Sequence, residues 1–121
     1  MDNLKLFDAE YKFMTLIWEH EPVNSTELVK ICRKMLGWKK STTYTVLRKL
    51  RERNIVQNED AVVTSLVSHT DVQKYEGENL LNKAFDGSLP KFLTAFLEDR
   101  TITTGEAEEL KKIIDFSREE N

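Results

Sequence analysis

A single cysteine, Cys32, and two histidines, His20 and His69, are all the soft ligands the chain offers. One thiol cannot close an intramolecular disulfide or build a thiolate cluster within one chain, and no paired spacing joins it to either histidine, so no metal and no cofactor is expected. Glycine-rich phosphate loops and Ser/His/Asp sets in motif context are also missing, and the carboxylates lie on solvated helix faces. No catalytic activity is therefore expected. No stretch approaches 18 consecutive apolar residues, and residues 1–25 lack a basic-then-apolar signal pattern, so the expectation is a cytoplasmic protein with no membrane insertion.

With 40% hydrophobic and 32% charged residues among 121, the chain suits one small unit or two very small ones that rely on each other, and leaves little room for a large internal pocket. The formal net charge of −3 argues, at face value, against a nucleic-acid partner, whose usual counterpart is a basic surface. Resolved along the chain, the balance changes sign. Residues 1–60 hold 11 Lys and Arg against 9 Asp and Glu, whereas residues 61–121 hold 7 against 12. Between residues 30 and 53, Lys30, Arg33, Lys34, Lys39, Lys40, Arg48, Lys49, Arg51 and Arg53 are opposed by Glu52 alone. Most charge runs are merely solvated faces, so the pattern around this one matters.

Phe13, Met14, Ile17 and Trp18 recur on one helical face, with Asp8 and Glu10 suited to the positive end, predicting a first helix over residues 8–19. Pro22 stops it. Asn24 with Glu27 three residues on has the form of a capping box, and Leu28, Ile31, Cys32 and Met35 make the buried stripe of a second helix that Gly37 ends. A third helix has Thr43, Val46, Leu47 and Leu50 on its apolar side and Ser41, Thr42, Thr45, Arg48, Lys49 and Glu52 on the other. Asn54 stands where a left-handed residue would close that helix. Residues 55–58 and 63–68 read as two strands around a Glu59-Asp60 turn.

Three short helices, the third basic on its free face, followed by a hairpin, is the order of a winged helix-turn-helix DNA-binding module, here residues 1–70. Hydroxyls and basic groups reach phosphates and base edges, and short side chains at a helix start let the backbone approach a groove floor. Ser41 and Thr42 are also ordinary helix-start residues, so neither decides the matter alone. Residues 71–121 are acidic and helical. Val72, Tyr75, Leu80, Leu81, Ala84 and Phe85 lead to an Asp86-Gly87 turn, and Ser88 caps a segment in which Leu89, Phe92, Leu93, Phe96 and Leu97 keep helical spacing without a miss. A capping box from Thr103 to Glu106 opens a last helix with Ala107, Leu110, Ile113 and Ile114 inside. So short a stretch does not enclose such faces by itself, and no staple or metal is offered. The expectation is a mainly α chain, a winged-helix domain plus a C-terminal three-helix dimerisation domain. There Leu89, Phe92, Leu93, Phe96, Leu97, Leu110, Ile113 and Ile114 would meet a second copy. Such a dimer presents two recognition helices, as a palindromic DNA site requires.

Residues 10–18 (EYKFMTLIW), 41–50 (STTYTVLRKL) and 53–56 (RNIV) carry a further signal, continued by Phe85-Asp86-Gly87 and Glu109-Leu110. In this order they resemble the penicillinase/methicillin-resistance repressor family over nearly the whole chain. The resemblance implies a homodimeric repressor that occupies an operator palindrome in double-stranded DNA and blocks genes for β-lactam resistance or a related stress response. It implies base reading by Ser41, Thr42 and Tyr44, phosphate contacts by Thr45, Arg48 and Lys49, and support from the flanking Lys39 and Lys40. It further implies a membrane-bound zinc-peptidase sensor pathway that triggers cleavage in the dimerisation helices, at the bond matching Ala95–Phe96. Core packing accounts for Phe96 equally well, since it belongs to the apolar stripe.

The chain departs from the family pattern in two places. Asn54 stands where glycine is frequent, and Gln57, Asn58, Glu59 and Asp60 stand where wing residues are often basic. An acidic wing tip is repelled by phosphate, which shifts the expected weight of binding to the third helix and its flanks. The copper-responsive branch ends in a cysteine-rich tail, and residues 115–121 (DFSREEN) contain none, so copper sensing by that route is not expected. Cys32 reads as a small core residue, with a redox-sensing thiol beside Arg33 and Lys34 as the lesser alternative. Both histidines are expected at the surface. A second functional reading, a helical protein-interaction adaptor that no longer binds DNA, draws on the acidic wing and the negative total charge.

Overall fold

The computed structural model describes residues 3–118. Along the chain run α1 (Asp8–His20), β1 (Val23–Asn24), α2 (Ser25–Leu36), α3 (Lys40–Glu52), β2 (Val56–Glu59), β3 (Val62–Ser65), α4 (His69–Ala84), α5 (Leu89–Leu97) and α6 (Thr104–Ser117). Two compact units divide within α4, between Glu78 and Asn79.

The first unit is three helices, a small antiparallel sheet and the start of α4 around one core. Phe13, Met14 and Ile17 of α1 meet Leu28 and Cys32 of α2, Leu47 and Leu50 of α3, Ile55, Val56 and Val63 of the hairpin, and Val72 of α4. Local chemistry fixes the element ends. The Glu10 carboxylate accepts from the Phe7 amide at 2.9 Å and so satisfies a free donor at the α1 start. At the other end of α1, Glu21 accepts from the Ser65 amide and hydroxyl at 2.7 and 2.8 Å, tying helix to sheet. Asn24 caps α2 by accepting from the Thr26 amide at 2.9 Å, and Gly37 closes that helix at φ 70°. The reciprocal arm expected from Glu27 is not among the described hydrogen bonds. Asn54 takes the left-handed conformation expected of it, at φ 60°.

The sheet has the order β1-β3-β2, with Val23 opposite Val63 and Val56 opposite Ser65. Both hairpin strands differ in bounds from the sequence reading. Glu59 belongs to the ladder, opposite Val62, and the turn is Asp60-Ala61 at φ 52° and 63°. Two positive φ values in a two-residue connection make a type I′ turn, whose twist matches that of the strands. Leu66 still donates its amide to the Ile55 carbonyl at 2.8 Å, but residues 67 and 68 leave the sheet, and the Val67 carbonyl instead accepts from Trp18 Nε1 at 3.1 Å.

Two burial expectations change. Met35 is 60% exposed, because it sits in the last turn of α2 beside Leu36 and Trp38 on an open surface cleft, while Val29 is buried in its stead. His69, expected at the surface, stacks on Trp18 with ring centroids 4.4 Å apart and lies 3.0 Å from the Tyr11 hydroxyl. These contacts also move the domain division past residue 70. His69 and fully buried Val72 belong to the first core, and Tyr75 donates to Asn3 Oδ1 at 3.0 Å, so the first turns of α4 are part of the winged-helix unit.

In the second unit, Ser88 caps α5 by accepting from the Lys91 amide at 3.1 Å, and Thr103 with Glu106 forms the reciprocal capping box at the start of α6. Phe92 lies between Phe85 and Phe96, with centroids 5.4 and 4.9 Å away. No residue of α5 or α6 is buried. Phe92, Leu93 and Leu110 are half-buried, whereas Leu89, Phe96, Leu97, Ile113 and Ile114 stand exposed.

A non-glycine residue at left-handed φ costs roughly 1–2 kcal/mol, part of which a glycine returns as freedom of the unfolded chain. Ala61→Gly is therefore expected to stabilise the protein by about 0.5–1 kcal/mol, raising the thermal midpoint of the first unit by a few degrees, whereas Ala61→Val lowers it. Calorimetry of the two variants checks this.

Candidate nucleic-acid interface

The geometry of α3 follows from three residues. Thr43, Leu47 and Leu50 face the core, so the rest of the helix turns to solvent. Lys40, Ser41, Thr42, Thr45, Arg48 and Lys49 are all exposed on it, and Lys39 precedes them. The start of α3 is unusual. Lys39 occupies the cap position in extended geometry without a side-chain cap bond, and no acidic residue stands in the first turn. Free amides at the positive end of a helix, flanked by two lysines, suit a phosphate.

The structure leaves Lys39, Lys40, Ser41, Thr42, Thr45, Arg48 and Lys49 exposed on and just before α3, and places Tyr44 on the wall of a cleft that Thr45 and Arg48 also line. Tyr44 is half-buried, with its hydroxyl donating to Ser25 Oγ of α2 at 3.4 Å. Arg48 pairs with Glu52 at 2.9 Å, one turn along the same helix. At the wing, Glu59 and Asp60 are exposed at the tip while Gln57 and Asn58 are half-buried at its root. A cleft of about 310 Å3 runs between α3 and β2, with Arg51 and Asn58 on its walls. Neither residue was singled out as a site from the sequence. Arg51 carries a signal as a member of the basic run, and Asn58 enters the sequence reading only as a wing position lacking the basic residue frequent there; the hairpin register is what places it beside α3.

Ala95 and Phe96 lie in the last turns of α5. Both are exposed, and the Phe96 ring packs on Phe92 while the Arg100 guanidinium sits 4.4 Å over it. Their peptide bond is helical, so a protease that takes extended substrates would need that turn to open first.

A family model described as penicillinase repressor matches residues 6–116. The chain belongs to the penicillinase repressor family. It is 26% identical to the penicillinase repressor of Bacillus licheniformis over 92% of this chain and 90% of that one. It is 24% identical to the methicillin resistance regulatory protein MecI of Staphylococcus aureus (strain Mu50) over 94% and 98%. The solution structure of the DNA-binding domain of the repressor BlaI aligns with 59% of this chain and 93% of that domain, at a TM-score of 0.50 and 28% identity. The Bacillus licheniformis BlaI monomeric form, solved in complex with the blaP half-operator, aligns with the same figures. These likenesses bear out the expected family, the mainly helical winged-helix architecture and the reading as a repressor rather than an enzyme. Among the described residues, no helix is long and apolar enough to cross a membrane.

Cys32 is fully buried behind this surface, and burial pushes its thiol up from the ordinary value, with the Thr43 hydroxyl acting in the opposite direction. The folded chain therefore holds this proton longer than the unfolded chain does. The associated stability is present below the unfolded thiol's pKa and is lost as pH rises through the folded value. Stability is expected to decline above about pH 8.5, a decline that Cys32→Ala reduces, and a thiol reagent is expected to label Cys32 only after denaturation. Labelling of the native protein at a rate near that of a free thiol would contradict the burial.

Proposed function

We propose that the chain is a homodimeric transcriptional repressor that reads an operator palindrome with α3 and lies in the cytoplasm, where the DNA is. The observation that carries the reading is the seating of α3: three core residues hold an uncapped, basic, hydroxyl-rich face outward, on a fold shared with a relative solved on a half-operator. Ser41 and Thr42 at the helix start are placed to reach base edges, and Thr45, Arg48 and Lys49, with Lys39 and Lys40, to hold phosphates. Tyr44 is the weaker candidate for base contact, since its hydroxyl is already turned to Ser25.

The test is a salt series of binding to the promoter of its own gene and to a random duplex. Affinity is expected to fall steeply with salt, with Thr42→Ala and Arg48→Ala each removing about 1–3 kcal/mol, the former mainly from the preference between duplexes. Equal binding to both duplexes at low salt would overturn the repressor reading and favour a protein-interaction adaptor.

The exposed apolar faces of α5 and α6 support a second copy as the occupant, because exposed large apolar patches mark interaction surfaces and two-fold dimers are the commonest assembly. For the regulated genes we favour β-lactam resistance or a related stress response, with inactivation through a membrane-bound metallopeptidase sensor pathway and a cut at Ala95–Phe96. Mass spectrometry of the protein from β-lactam-treated cells is expected to find that cut, together with loss of the dimer mass in sedimentation. An intact chain alongside derepressed genes would remove cleavage from the proposal and leave DNA binding in place.

A further inference from the structure

The cleft between α3 and the root of the wing holds three features that α3 alone does not explain. Arg51 lies one turn beyond Arg48 on the cleft wall, and the two guanidinium groups differ in state. Arg48 is held by Glu52 at 2.9 Å, whereas no carboxylate lies within ion-pair distance of Arg51 among the described residues. Asn58, on the opposite wall, has its Oδ1 buried with no donor. A buried acceptor without a donor is destabilising. Of the donors that line this cleft, the Tyr44 hydroxyl is turned to Ser25 and Arg48 is paired with Glu52. That leaves the Arg51 guanidinium and the Thr45 hydroxyl, and of these the guanidinium has the longer reach. Beyond Asn58, Glu59 and Asp60 make the wing tip acidic, so the tip is repelled by the phosphates that its root can approach.

We propose that this cleft is a phosphate clasp for the DNA backbone. On binding, Arg51 turns into the cleft and donates one N–H to Asn58 Oδ1. The planar fork then presents its remaining donors to the non-bridging oxygens of one phosphodiester beside the bases that α3 reaches. Arg51 is the contact residue and Asn58 a positioning residue acting through it. The wing thus contributes from its root, not its tip. The inference rests on the DNA-binding reading above and adds to it a defined contact outside the helix start.

The full chain is titrated by fluorescence anisotropy on the promoter duplex and on a random duplex of equal length, across a salt series. Arg51→Ala is expected to weaken both duplexes by a similar factor, about fivefold to tenfold at low salt, and to reduce the salt slope by about one per clasp. Asn58→Leu is expected to give a smaller loss of the same kind, to leave the thermal midpoint unchanged or raised, and to add nothing once Arg51 is alanine. That non-additivity is the signature a merely structural role would not produce. Unchanged affinities and slope for Arg51→Ala, while Thr42→Ala still reduces the preference, would overturn the clasp and leave the repressor standing. Equal losses from Asn58→Leu with and without Arg51 would also overturn it. If the unaltered chain bound neither duplex in a salt-dependent way, the repressor reading and the clasp would fall together.

Discussion

The packing of one face of α3 onto the core is the constraint on which the interface depends. Leu47 and Leu50 are buried against the side chains of α1, α2 and the hairpin, each contributing about 1.5–3 kcal/mol relative to exposure. Turning the helix about its axis would expose these two and drive Arg48 or Lys49 inward, where an unpaired charge costs several kcal/mol. The direction of the polar face is therefore a consequence of the core, not of any contact that the polar residues make among themselves. The Arg48–Glu52 pair, exposed on both sides, adds little to stability and can be exchanged for a phosphate. The missing cap at Lys39 fits the same account. A capping side chain there would fill amides that a phosphate can use.

Charge is uneven along the chain. The net value of −3 averages a basic run, which the fold concentrates on and around α3, with an acidic C-terminal half. Exposed charges more than about 10 Å apart are largely screened at moderate salt, so a phosphate at α3 responds to its neighbours and little to the total. Among those neighbours the wing is the exception. Asp60 and Ala61 accept positive φ in a type I′ turn that asparagine and glycine would occupy with less strain, and Asp60 puts negative charge at the tip. A turn tuned neither for stability nor for phosphate attraction is consistent with a tip that stands away from the backbone.

Much of this was legible in the sequence, and the parts that were not have physical causes. Helical periodicity placed α1, α2, α3 and the apolar stripe of α5, while capping chemistry placed Asn24, Ser88, Thr103 with Glu106, and the left-handed Asn54. β1 escaped because two residues carry no alternation. Val23 and Asn24 form a strand only because β3 lies alongside. Met35 kept helical spacing but lies where no neighbouring element covers the helix end, and periodicity records a face without recording how far the neighbour extends. His69 reads as a surface residue, and Val72 and Tyr75 fall beyond a boundary at residue 70, because their partners, Trp18, the first core and Asn3, are distant in sequence. Asn58 beside α3 is the same kind of case, a juxtaposition created by hairpin register.

The second unit shows the limit of periodicity from the other side. Leu89, Phe92, Leu93, Phe96 and Leu97 keep perfect helical spacing, yet none is buried in the single chain, and Ile113, Ile114 and Phe116 of α6 are more than half exposed. An apolar stripe specifies that burial is needed and says nothing about which molecule supplies it. If a second copy supplies it, the residues that join the protomers and the bond proposed for cleavage occupy the same two turns of α5. Phe96 then has two roles, packing on Phe92 and across the interface, and defining one side of Ala95–Phe96. A protease acting there would remove part of the surface that holds two α3 helices on one palindrome. Because each half-site alone offers half the phosphate contacts, separation of the protomers would lower occupancy without any change to α3 itself.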